Sequence, residues 1–257
     1  MTNTDTNRRR TAIVTGAGMG VGGVGRAIAG QLVREGYAVM VTDIDPEVER
    51  VAVSLAETSH APVAFHVADL SVEGQAAELI DKTVQRFGGV DVMVNNAGGG
   101  IIRPFLEHDA ASFAATLARN LWTTIWCCHK VLPHMIEQNH GRIINIGADS
   151  LRTGIPGHAG YNAAKGGVVG MTVALARDFA HLDITVNVVS PCVINTRRHQ
   201  DMIQASPELR SAFLAVVPKG RSAELREVAD VVSFLARRET AFVTGQEISV
   251  NGGSAMP

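Results

Sequence analysis

The chain is 257 residues long, 46% hydrophobic yet only 5% aromatic, with a formal net charge of −2. That length fits one large domain or two small ones, and its core must be aliphatic, as suits a parallel sheet covered by helices on both faces. The charge gives no reason to expect nucleic acid or an anionic membrane as partner, no apolar stretch reaches the ~20 residues of a membrane span, and no metal site is expected.

Met1 to Arg10 is polar and lacks the apolar centre of a signal peptide. It reads as a flexible tail, with Arg8, Arg9 and Arg10 as a solvated end. From 11 to 257, short β-branched runs alternate with longer amphipathic ones. Strands are expected at Thr11 to Thr15, Ala38 to Thr42, Val63 to Val67, Val90 to Val94, Arg142 to Ile146, Ile184 to Val189 and Glu247 to Val250. Helices are expected near 24–36, 46–58, 72–88, 110–139, 161–181 and 224–238. This alternation implies right-handed crossovers and a single α/β domain, a Rossmann-type doubly wound parallel sheet of seven strands. The stretch 191–223 has no strand pattern and is punctuated by Pro191, Pro207 and Pro218. It predicts a substrate flap with short helices at about 193–220. Ligands of such sheets bind beyond the carboxyl ends of the strands, so the residues that follow each strand matter most.

After the first strand the chain is crowded with glycine. Glycines let a backbone approach a pyrophosphate, and the next helix aims its first N–H groups at the charge. Two registers fit. Gly16, Gly20 and Gly22 satisfy GxxxGxG, whereas Gly23-Val24-Gly25 opens a helical apolar pattern at Val24 and leaves a longer loop; the second is preferred. The second strand ends at Asp43, whose carboxylate can accept from a ribose diol and would repel a 2′-phosphate, favouring NAD over NADP. Asp43 can instead cap the following helix, although Asp45 before Pro46 suits that task better. Arg26, inside the helix start, is a poor reader of a 2′-phosphate. Cys127, Cys128 and Cys192 cannot all pair within one chain, so a reduced, cytoplasmic protein fits.

Tyr161 and Lys165 stand four residues apart, on one face of a helix. An ammonium held there would lower the phenol pKa from its usual ~10 and make Tyr161 a proton donor or acceptor near neutral pH.

Taken in order, these features resemble the short-chain dehydrogenase/reductase family over essentially the whole chain. Thr15-Gly16 with the glycine loop resembles its first motif, Asp69-Leu70 its adenine-contacting pair, and Asn95-Asn96-Ala97-Gly98 its NNAG motif. Asn120 matches its relay asparagine, Tyr161 and Lys165 its catalytic pair, Pro191 with Thr196 its PGxxxT segment, and Asn251-Gly252-Gly253 its closing signature. The resemblance implies that Tyr161 exchanges a proton with the substrate oxygen while nicotinamide exchanges a hydride with the same carbon. Lys165 then holds the nicotinamide ribose, and Asn120 holds a water that links Lys165 to solvent. Gly16, Gly23, Val24, Gly25, Asp43, Ile44, Asp69, Leu70, Asn96, Ala97, Gly98, Pro191, Ile194 and Thr196 become the expected cofactor contacts.

Two positions depart from that pattern. The family places a serine thirteen residues before the tyrosine, where this chain has Ala148. Ser150 can replace it if the strand end shifts, and Asp149 is the other candidate, provided it is protonated. The glycine that usually follows Pro191 is Cys192, whose Cβ disfavours φ > 0 and narrows the space beside the nicotinamide. The substrate pocket is expected between Gly99 to Pro104, Ser150 to His158 and the flap, with Ile101, Ile102, Leu151, Ile155, Met202 and Ile203 as apolar lining. Arg103, Arg152 and His158 could anchor a polar or anionic group. The reaction expected is NAD-dependent interconversion of a secondary alcohol and a ketone, on a cyclic or aromatic-ring substrate. The alternative, supported by Ala148, is a catalytically weak NAD-binding sensor or structural protein. The apolar surface all round 110–139, with Trp122 and Trp126, together with the 161–181 helix and the family resemblance, implies a homotetramer.

Overall fold

Two-residue alternation in the strands separates two cores. Ala12 and Val14 of β1 (Thr11–Thr15) pack to one side and Ile13 to the other. The remaining strands are β2 (Ala38–Asp43), β3 (Val63–Val67), β4 (Val92–Asn95), β5 (Gly141–Ile146), β6 (Ile184–Pro191) and β7 (Glu247–Val250). They form one seven-stranded sheet in the order β3-β2-β1-β4-β5-β6-β7, with every pair parallel. The computed structural model describes residues 8–20, 23–59, 61–205 and 215–256, and only the backbone of Arg198, Met202 and Ala205.

Helices α1 (Val24–Arg34) and α2 (Val48–Ser59) cover the first face, and α3 (Glu73–Phe87) the second. The expected helix at 110–139 is divided in two. Its parts are α4 (Ala110–Leu117) and α5 (Thr123–Glu137), joined by a π-helical turn over Ala118–Trp122. Asp109 caps α4 by accepting from Ser112 N at 2.8 Å. Next come the short α6 (Ser150–Thr153), α7 (Ala159–Asp178), the flap helix α8 (Arg197–Ala205) and α9 (Leu225–Ala236). Ile28 and Leu32 of α1 and Val228 and Val232 of α9 fill the first core, while Leu79, Ile80, Val131 and Met135 fill the second. Each such aliphatic side chain contributes about 1.5–3 kcal/mol, so the low aromatic content is no handicap.

The flap keeps its two legs together. Asn195 N donates to Ala223 O at 2.7 Å and Ala223 N to Val193 O at 2.9 Å. The segment between, 206–214 with Pro207, lies outside the described residues, as do Val21, Gly22 and residues 1–7. The arginine run is not the solvated end expected. Arg8 pairs with the Asp91 carboxylate at 2.9 Å, and Arg10 lies 4.4 Å above the Tyr37 ring. Asp91 is only 2% exposed, and a buried carboxylate needs such a partner. No helix among the described residues is long and apolar enough to cross a membrane. Because β1 and β4 lie side by side, the chain turns outward in opposite directions there, and a crevice opens above their carboxyl ends.

Candidate active site

That crevice is a cavity of about 840 Å³, walled by residues from β1 through the flap. At one end the chain is locked by its own backbone. Thr15 Oγ1 accepts from Asn96 N and Ala97 N, both at 2.9 Å, and Asn96 Nδ2 donates to Thr15 O and Gly16 O, also at 2.9 Å. Gly16 has φ 63°, and a Cβ there would lie 2.7 Å from Ala97 Cα, so this close approach requires glycine. Helix α1 begins at Val24 behind the left-handed Gly23, as the preferred register requires. The Asp43 carboxylate accepts from Gly18 N at 2.8 Å and from Asp45 N at 3.1 Å. It organises the glycine loop rather than capping α2; Asp45 takes the turn, accepting from Glu47 N at 3.0 Å.

Gly16, Gly23, Val24, Asp43, Ile44, Asp69, Leu70, Asn96, Ala97, Gly98, Pro191, Ile194 and Thr196 all line this cavity. Gly25 is not among the wall residues. It sits behind the loop, where any Cβ would overlap the Gly16 carbonyl. Gly18 is a wall residue that motif reasoning passed over, because its role is set by a partner 25 positions away.

At the other end stand Tyr161 and Lys165, both on α7 and both on the wall. Lys165 is 3% exposed, donates from Nζ to Ile146 O at 2.7 Å, and lies 5.8 Å from the Tyr161 ring centre. Burial dominates both pKa values, pushing the Tyr161 phenol up to about 12 and the Lys165 ammonium down to about 8. The expected lowering of the phenol by its lysine is therefore absent from the protein by itself. Both groups leave water, and burial is what moves both values.

Ser150 reaches the cavity wall beside Ala148. Its hydroxyl donates to Asn162 Oδ1 at 2.6 Å, while Asn162 Nδ2 donates to Ser150 O at 2.9 Å. The second bond fixes the amide orientation, so the serine proton is committed to Asn162 and its lone pairs remain free. Asp149 is turned away. It is fully buried, accepting from Asn251 Nδ2 at 2.9 Å and Ser254 Oγ at 2.5 Å, and does not substitute for the missing serine. Asn120 lies in the π-helical turn, off the wall, where Nδ2 donates to Gly99 O at 3.1 Å and Oδ1 accepts from Gly99 N at 3.1 Å. Its side chain clamps the loop after β4, which leaves only its backbone for any relay.

Of the expected substrate lining, Ile102, Ile155, His158 and His199 of the flap are on the wall, joined by Arg119 and Thr123, which were not expected. Ile101, Leu151, Arg103, Arg152 and Ile203 are not among the wall residues, and the Met202 side chain lies outside the described ones. Arg152 donates to Ser249 Oγ at 2.5 Å and pairs with Glu247 at 3.2 Å, so it is not an anion anchor. Cys192 extends the sheet, its N donating to Val250 O at 3.2 Å, and burial raises its thiol pKa, which disfavours a nucleophilic thiolate.

A family model described as enoyl-(acyl carrier protein) reductase matches residues 19–255. The chain is 50% identical over 248 residues to 2,3-dihydroxy-2,3-dihydro-p-cumate dehydrogenase of Pseudomonas putida, covering 96% of this chain and 95% of that one. It is 36% identical over 253 residues to a hydroxy(phenyl)methyl-succinyl-CoA dehydrogenase subunit of Thauera aromatica, with 97% and 98% covered. The crystal structure of levodione reductase superposes with a TM-score of 0.89 at 32% identity, covering 96% of this chain and 98% of that one. Together with the ordered motifs along one cavity, these likenesses establish that the chain belongs to the short-chain dehydrogenase/reductase family of nicotinamide-dependent oxidoreductases.

Proposed function

We propose that the protein is an NAD⁺-dependent dehydrogenase that oxidises one secondary alcohol of a dihydroxylated, non-aromatic ring. The observation that carries this reading is a single cavity running from Asp43 to Tyr161 and Lys165, in a chain half identical to a dehydrogenase of such a ring. The residues present suit a nicotinamide dinucleotide. Gly18 leaves room that a Cβ would fill 2.8 Å from Asp43 Oδ2, and α1 directs its N-terminus at the glycine loop. Gly16, Gly23 and Val24 would hold the pyrophosphate. Asp43 and Ile44 would hold the adenosine ribose, where the carboxylate disfavours NADP. Asp69 and Leu70 would hold the adenine, and Asn96, Ala97, Gly98, Pro191, Ile194 and Thr196 the ribose and nicotinamide beyond.

The chemistry NAD⁺ supplies when bound is acceptance of a hydride from the carbinol carbon. Tyr161 takes the hydroxyl proton as that carbon becomes a carbonyl, so the alcohol loses one hydride and one proton. A phenol held near 12 is a poor acid to ionise at neutral pH; the positive charge of the oxidised ring favours the phenolate, and Lys165 adds to it while protonated. Ser150 steadies the substrate oxygen by turning its proton away from Asn162 and donating to the oxygen that becomes a carbonyl. Lys165 would pass the proton onward through a water that the Asn120 backbone carbonyl holds, and so to solvent. A ring hydroxyketone formed from a dihydrodiol tautomerises to an aromatic catechol, which draws the oxidation forward.

Ala148 supports the weak-binder alternative, but Tyr161 and Lys165 both open onto the cavity and the half-identical relative is a dehydrogenase. A reduced cytoplasmic location suits buried Cys127 and Cys128, whose thiol pKa values burial raises, that of Cys128 to about 12. Homotetramer contacts through α4, α5 and α7 are supported by Trp122, 45% exposed and stacked on Trp126 at 5.4 Å, and by Val173, 55% exposed. The test is reduced-nicotinamide absorbance with NAD⁺ or NADP⁺ and a panel of ring diols, ring alcohols and acyclic alcohols. Turnover of ring diols with NAD⁺ is expected. Cofactor binding without turnover of any alcohol would favour the sensor, and a preference for NADP⁺ would overturn the role given to Asp43.

A further inference from the structure

A ring diol offers two hydroxyls, and Tyr161 with Ser150 accounts for one. Among the histidine, serine, lysine and cysteine side chains of the described wall, most polar atoms are already engaged. Lys165 donates to Ile146 O, Ser150 donates to Asn162, and His199 Nε2 lies 2.9 Å from Ser222 Oγ. The Cys192 thiol pKa is raised chiefly by burial, with Ser254 and Asp149 close enough to influence it. His158 differs. Its Nδ1 lies 3.0 Å from Pro156 O, and a carbonyl can only accept, so Nδ1 carries the proton and Nε2 of the neutral ring is an acceptor. No protein group among the described residues donates to that Nε2. The imidazole stands edge-on to the Tyr161 ring, with centroids 6.2 Å apart, at the residue where α7 begins.

We propose that His158 is a specificity-determining residue, accepting through Nε2 a hydrogen bond from the second, non-reacting hydroxyl of a vicinal ring diol. This rests on the ring-diol reading above and adds to it the group that tells a diol from a mono-alcohol. Pro156 sets the tautomer, Tyr161 sets the distance from the reacting oxygen, and a substrate lacking the second hydroxyl leaves that nitrogen of the half-buried ring to water. A site built to hydrogen-bond a substrate hydroxyl rejects the analogue lacking it far more strongly than an apolar pocket rejects an added one.

The experiment compares kcat/KM for a ring vicinal diol and for the mono-alcohol of the same ring, in wild type, His158→Phe and His158→Gln. Phenylalanine keeps a ring against Tyr161 and removes the acceptor; glutamine restores an acceptor without the ring. The diol-to-mono-alcohol ratio is expected to fall about fivefold in His158→Phe, as for one hydrogen bond lost at a half-buried site, and to recover in part in His158→Gln. A ratio unchanged in His158→Phe overturns the proposal, because a merely structural histidine would lower both substrates alike. A wild type that oxidises mono-alcohols but no diol overturns the ring-diol reading itself and this role with it.

Discussion

The two ends of the cavity are held by different means. Around Asp43 the fixing bonds run to backbone: Gly18 N and Asp45 N to the carboxylate, Asn96 and Thr15 to each other's main chain. Toward Tyr161, side-chain pairs from distant parts of the chain join in: Asp149 with Asn251 and Ser254, Arg152 with Glu247 and Ser249, His199 with Ser222, beside the bond of Lys165 to Ile146 O. A wall made of backbone tolerates almost no variation, since a Cβ at Gly16 would lie 2.7 Å from Ala97 Cα. A wall made of side-chain pairs can be re-specified by a few substitutions. One end can thus serve a common cofactor while the other changes its substrate, which is how one fold hosts many activities.

The sharpest way to break that contrast is to change the chemistry while sparing the cofactor. Tyr161→Phe is expected to lower kcat by about 10²–10⁴-fold with cofactor affinity, followed by protein fluorescence, nearly unchanged. The same variant supplies a reference spectrum. With the phenol near 12 in the protein alone, phenolate absorbance attributable to Tyr161 should appear only at strongly alkaline pH without cofactor, and at lower pH once NAD⁺ is bound. Oxidation needs the phenolate, so its kcat/KM rises with pH; ketone reduction needs the phenol and runs the other way. Phenolate already present at neutral pH in the cofactor-free protein would restore the simple lysine-lowered phenol.

Ser150→Ala comes next, with a loss of about 10²-fold in kcat if its oxygen steadies the reacting one. Asn162→Ala separates the two tasks of that hydroxyl. Freed from Asn162, the Ser150 proton can point at the substrate, so ketone reduction should suffer less than in Ser150→Ala. Equal losses in both would mean that the pair acts only by shaping the turn. At the opposite end Asp43→Asn is expected to raise the NADP⁺/NAD⁺ ratio of kcat/KM by roughly tenfold, the size of one charge–phosphate repulsion in a partly wet site. Diol selectivity should not move with it, since the two ends share no side-chain contact among those described.

The same division decides how much was readable in advance. Glycine spacing, Asp43 at a strand end and the helix start at Val24 are local facts, and the structure puts nearly all of those residues on one wall. Strand positions came within one or two residues because alternation is also local. Gly25 lay behind the wall for a reason invisible in one dimension: it faces Gly16 across the loop, not the cavity. Asp149 looked like a serine substitute by position, yet its partners arrive from Asn251 and Ser254, about a hundred residues on. The split of 110–139 at Asn120 was likewise hidden, since the side chain that occupies the π-helical turn answers to Gly99. The direction of the Tyr161 shift depended on burial, which spacing does not report.

Arg152 gives the finest test, because the smallest effect is expected there. As an arginine beside Ser150 it reads as an anchor for a ring carboxylate. In the fold its guanidinium is spent on Ser249 and Glu247, and Glu247 also accepts from Ser190 Oγ at 2.6 Å. Arg152→Ala should therefore lower stability by about 1 kcal/mol, the scale of a partly exposed ion pair, read as a modest fall in Tm. The ratio of KM values for carboxylated and neutral ring substrates should stay where it is in wild type. If only the carboxylated substrate lost affinity, Arg152 would have to leave Glu247 when substrate binds, and the side-chain pairs at this end would be exchangeable contacts rather than fixed ones.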